Sequence, residues 1–164
     1  MVTVYPFADI EQDIGVIKRN ITGERSSVIG GIPVSYQTYE YNDGYEFKGT
    51  RWCSVDRKGH IYISDLPGAP PELREQFQDL VAYHERLEFD WLVELGLPAP
   101  RWSILHVDES VVACGIHNQV HYMELKAANN MGILDEYVNW RPKENGSGKY
   151  GSLTEEFSRR LKAA

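Results

Sequence analysis

Several things are scarce in this 164-residue chain, and each scarcity removes a class of function. It has two cysteines, Cys53 and Cys114, far apart and without CxxC spacing. That leaves no disulfide framework and no cysteine-rich zinc site, and points to free thiols in a reducing compartment. Lys and Arg number 17 against 24 Asp and Glu, giving a formal net charge of −7. No Lys/Arg cluster offsets it, so neither a nucleic-acid surface nor an anionic membrane surface is expected. No apolar run reaches the length of a membrane span. The opening "MVTVYPFADIEQD" has neither a basic start nor an apolar core, so no signal peptide is expected and the cytoplasm is the expected location.

What is present is an ordinary hydrophobic content of 42 % with 25 % charged residues, enough for one compact domain. "DIEQDIGVIKRN" is faintly helical, and "NITGERSS" reads as a turn. From 28 to 64 the signals are those of strands. "IPVSYQTYEY" is rich in β-branched and aromatic residues, "NDG" marks a turn and "YEFKGTRWCSV" resumes. "DRKG" then leads into "HIYIS", whose alternation suggests a half-exposed edge strand. A meander of three or four strands thus precedes a long helix over about 71–95, opened by Pro70 and Pro71 and stopped by Gly96. "RWSILHV" reads as extended. Asp108 or Ser110 would cap a second long helix running to about Met131, with Gly132 as its stop. "LDEYVNWR" is a short helix, "PKENGSGKYGS" a flexible connector and "LTEEFSRRLK" a terminal helix. The expected class is α+β: a small antiparallel sheet followed by two long packed helices. Residues 1–141 would form one domain, and 142–164 a connector with a short terminal helix.

The anomaly lies in the first long helix. Leu73, Phe77, Leu80, Val81, Trp91, Leu92 and Leu95 recur at helical spacing, and His84 and Glu88 fall inside that apolar sector. Glu85 sits at its edge. A carboxylate on a buried face is costly unless something neutralises or coordinates it. Arg51, Arg57 or Arg101 could neutralise Glu88, and a metal ion could do so too. The second long helix repeats the pattern: in "GIHNQVHYMELKAA", His117, His121 and Glu124 share one face, among the small residues Ala113, Val120 and Ala128. Two helices that each present a histidine and a carboxylate could surround one ion. Two imidazoles and one carboxylate, with a position left for water, make a catalytic zinc arrangement.

"HIYISDLPGAPPELREQFQDLVAYHERLE" followed by "IHNQVHYME" resembles the zincin-like metallopeptidases of phages and prokaryotes, over about residues 60–125. The resemblance implies a hydrolase with one zinc per chain acting on a peptide or protein. In it His84 and His117 are ligands, Glu85 is the general base, and Glu88 and Glu124 compete for the third ligand position, with His121 nearby. In HExxH enzymes both helix positions are histidine and a remote Glu completes the set. Here Glu88 takes the second helix position and the remote helix supplies His117. His60 and His106 are expected in solvent or in turns. Two further readings remain open from the residues: a non-catalytic protein-binding module on the same scaffold, and a carboxylate-bridged di-iron protein using the same six side chains. The di-iron reading lacks the Glu-x-x-His spacing and the four long helices such proteins use.

Overall fold

The computed structural model describes residues 7–42, 44, 53–96, 107–145 and 148–164, and it is α+β. The order is α1 (Phe7–Lys18), β1 (Ile21–Ile29), β2 (Ile32–Tyr39), β3 (Cys53–Val55), β4 (Ile61–Ser64), α2 (Arg74–Glu94), α3 (Val107–Asn130), α4 (Leu134–Asn145) and α5 (Gly148–Ala163). A 3-10 turn over Pro71–Leu73 leads into α2. None of the helices among the described residues is long and apolar enough to cross a membrane.

"NITGERSS" is a strand, not a turn. Its polar residues form the exposed face of a β1–β2 hairpin, where Thr22 meets Thr38 at 2.9 Å and Ser26 meets Ser35 at 3.0 Å. The turn itself is Gly30–Gly31, enclosed by the Ile29–Ile32 pair, with φ of 56° and 80°. Positive φ at both positions is what the tightest two-residue hairpin needs, and glycine adopts it without strain.

The sheet order is β1-β2-β4-β3, and β2 pairs with β4 in parallel. The expected antiparallel meander is therefore corrected in one respect: β4 inserts beside β2 and pushes β3 to the outside. β4 is a central strand, not an edge, and all four of its residues are buried. Both faces of it are covered, which removes the alternation expected of "HIYIS". Tyr62 faces α1, packing with Tyr39, Ile14 and Ile17. Ile61 and Ile63 face α2 with Val34, Tyr36, Phe77, Leu80 and Val81.

α2 ends at Gly96, whose φ is 74° and whose N–H donates to the Val93 carbonyl at 2.9 Å. Gly132, with φ of 76°, stops α3. The Ile133 N–H donates back to Ala128 at 3.0 Å, and the Gly132 N–H to Asn129 at 3.0 Å. Asp108 and Ser110 lie inside α3 and not before it, while residues 101–106 of "RWSILHV" fall outside the described residues. Residues 142–145 continue α4 and 148–152 open α5, so most of the expected connector is helical. α5 adds Leu161 and Phe157 to the main core. The terminal segment therefore belongs to the same packed unit.

Gly59 closes the turn before β4 with φ of 85°, and a Cβ there would meet Phe89 Cε1 at 2.7 Å and Arg86 Nη2 at 2.8 Å. Gly59→Ala combines a left-handed backbone with a clash against α2. It should destabilise the protein by at least about 1–2 kcal/mol. A thermal melt matching the parent would show that this contact is not tight.

Candidate metal centre

α2 and α3 pack side by side, and their inward faces bring the anomalous residues together. His84 is 2 % exposed and Glu88 8 %. His84 Nε2 lies 2.9 Å from Glu88 Oε2 and 3.2 Å from His117 Nδ1, and His117 Nδ1 lies 2.9 Å from the same Glu88 oxygen. Three ligand-type atoms from two helices thus meet at one point. Ligands about 2.0–2.1 Å from a tetrahedral zinc ion sit roughly 3.3 Å from one another. The observed spacing falls a few tenths of an ångström short of that, so the donor set fits such an ion with a small outward adjustment. His117, with 32 % of its side chain exposed, opens this point to solvent.

The partners of Glu88 among the described residues are these two histidines, not an arginine. Arg57 instead reaches Glu11 at 3.8 Å, and Arg51 and Arg101 lie outside the described residues. Burial opposes the charge on Glu88, but hydrogen bonds from His117 and His84 hold its carboxyl down at about 2. Burial likewise opposes a charged His84. The charges and hydrogen bonds of Glu124 and Glu88 outweigh it and raise the imidazole to about 10.

Behind His84 stands Glu124, fully buried. The His84 Nδ1–H donates to its Oε1 at 2.6 Å, and Arg141 Nη2 donates to the same oxygen at 2.8 Å. Its Oε2 accepts from Arg141 Nε at 2.6 Å and from the Tyr137 hydroxyl at 2.5 Å. Burial works against the Glu124 charge, yet the Arg141 guanidinium keeps its carboxyl well below the usual range. His84, His121 and Glu124 form a second group whose ligand atoms lie within 4.8 Å of one another. A second cation there would have to stand beside the Arg141 guanidinium, which disfavours the bridged two-metal arrangement. His121 faces α5 as well, with its Nε2 2.9 Å from Thr154 Oγ1, and burial lowers its pKa.

Glu85 sits one residue from His84, half-buried, where it feels the charges of His84, Glu88 and His117. Burial pushes its carboxyl upward, and the Glu88 charge adds to that against the opposing charge of His84. Cys53 on β3 donates its thiol to Glu85 Oε1 at 3.4 Å. His60 is at the surface, paired with Asp56 at 2.8 Å, and His106 lies outside the described residues.

Sequence reasoning singled out all of the ligand-type residues and missed their supports, namely Cys53, Tyr137, Arg141 and Thr154. For Arg141 a signal existed. Leu134, Tyr137 and Arg141 share one helical face, and an arginine in an apolar sector is the same anomaly as Glu88. No protein-family model, curated protein or solved structure matches this chain.

Proposed function

We propose that this protein is a one-zinc hydrolase of the metallopeptidase type, with His84 Nε2, His117 Nδ1 and Glu88 as ligands and Glu85 as general base. The observation that carries the reading is the meeting of those three atoms from α2 and α3 at 2.9–3.2 Å, with a carboxyl of raised pKa beside them. Zinc in such a site supplies a water that ionises near neutral pH and polarises a carbonyl. The chain's own contribution is positional. In this reading Glu85 would take a proton from a water and return it to a leaving amine. Cys53 holds the Glu85 carboxyl from β3, the outermost strand among the described residues at that end of the sheet. An extended chain laid along β3 would run close to the base, which supports a peptide as the substrate class. Cys53 is buried and unpaired as a thiol, which suits a reducing cytoplasm.

A second reading, a non-catalytic protein-binding module, is favoured by one observation. The cluster balances its own charge, with protonated His84 and Arg141 against Glu88 and Glu124. Metal analysis separates the two. After zinc loading and desalting, the parent should hold about one zinc per chain. His84→Ala and His117→Ala should each lose most of it. A parent that retains no zinc would favour the binding module.

A further inference from the structure

We infer that Glu124, clamped by Arg141 and Tyr137, is the positioning residue that fixes His84 as a ligand, and is not a ligand itself; the inference rests on the metal reading of His84, Glu88 and His117. A carboxylate has about four lone-pair positions for hydrogen bonds. Those of Glu124 meet four donors: His84 Nδ1, Arg141 Nη2, Arg141 Nε and the Tyr137 hydroxyl, all between 2.5 and 2.8 Å. A cation at Glu124 would have to displace one of them. The same arrangement decides the orientation of His84. With Nδ1 donating to Glu124, only Nε2 is left to serve as a ligand atom, and it is the nitrogen beside Glu88 Oε2 and His117 Nδ1.

The clamp is itself held. Tyr137 lies edge-on to Phe77 of α2 with ring centroids 5.0 Å apart, and Trp140 packs on the same ring at 5.3 Å. The Arg141 guanidinium lies over the Tyr137 ring, 5.9 Å from its centre. α4 therefore carries a rigid cationic and phenolic support to the back of a residue on α2, by way of Glu124 on α3. A charged acceptor behind a ligating imidazole fixes its tautomer and increases its basicity, and loss of such an acceptor typically weakens metal binding by about 10–100-fold.

The test measures zinc affinity of the full chain by competition with a chromophoric chelator, for the parent and for Glu124→Gln combined with Arg141→Met. Removing both charges together avoids leaving either one buried alone, a replacement that proteins often tolerate. The double variant should melt cooperatively, and its zinc dissociation constant should rise by about 10–100-fold. With cobalt in place of zinc, the visible bands should keep their shape and intensity at saturation, because no ligand has been lost. A dissociation constant within about twofold of the parent would overturn the inference while leaving the metal centre intact. A change in cobalt coordination at saturation would also overturn it, by making Glu124 a ligand. A parent with no zinc affinity would remove the metal reading itself and the inference with it. Tyr137→Phe takes away one donor without changing charge, and provides the same measurement if the double variant does not fold. There the constant should rise a few-fold, and no rise would count against the clamp.

Discussion

Glu85→Gln is expected to lower hydrolysis of peptide substrates by about 10²–10⁴-fold while zinc content stays at one ion per chain. The amide keeps the shape of the side chain and leaves an oxygen to accept from the Cys53 thiol, but it cannot take up a proton. Burial disfavours a charge on the Glu85 carboxyl, so a neutral amide is easily accommodated there and the melting temperature should hold or rise slightly. A mixture of quenched fluorescent peptides provides the assay, and metal analysis of the same samples provides the control. Unchanged turnover would remove Glu85 from the chemistry. A zinc-loaded parent inactive on every peptide would shift the balance to the binding-module reading.

Arg141→Met should cost about 3–5 kcal/mol, the usual result of removing one member of a buried ion pair. Arg141 is 4 % exposed and makes two hydrogen bonds to a fully buried carboxylate. Without it Glu124 keeps a charge in a buried site with no cationic partner but the histidines His84 and His121, and with the Tyr137 hydroxyl. The melting temperature should fall by roughly 6–20 °C in a chain of this size. Adding Glu124→Gln to the same protein should recover most of that loss, since the two residues act as one unit and their effects cannot add. A melt equal to that of the parent would show that water or a shifted side chain neutralises Glu124.

The site was more legible in the sequence than the sheet. His84, Glu88, His117, His121 and Glu124 are readable because a helix repeats every 3.6 residues, so a polar residue on the apolar face can be recognised from its near neighbours alone. Which helix packs on which is not encoded so locally. The different surroundings of Glu88 and Glu124 therefore depended on where Arg141 lands, 17 residues along the chain from Glu124. Strand order is less local still. The parallel pairing of β2 with β4 skips over β3, and nothing within "HIYIS" announces that both of its faces will be covered. "NITGERSS" misleads for a different reason. Its glycine, serines and threonine have turn propensity, but pairing with β2 overrides it: Gly23 sits opposite Thr38, Ser26 opposite Ser35 and Ser27 opposite Val34, and Thr22 meets the Thr38 hydroxyl. "PKENGSGKYGS" misleads in the same way, its composition being that of a linker while much of it lies within α4 and α5.

The Gly30–Gly31 turn also bears on the order in which the chain folds. β1 and β2 need only this two-residue loop to meet, and such hairpins form in about 1–10 μs. The contacts of the polar cluster span 29, 33 and 40 residues, so they pay a larger loop-closure entropy and need both long helices in place. The hairpin and the apolar face of α2 are therefore the expected folding nucleus, with the cluster locking afterwards. Substitutions in the cluster should act mainly on the unfolding rate and leave the refolding rate close to that of the parent. In a chevron plot of Arg141→Met the unfolding arm should rise while the folding arm stays nearly superimposed. Loss of the clamp would then show itself in the cell as a shortened lifetime of the native state, at an unaltered speed of reaching it.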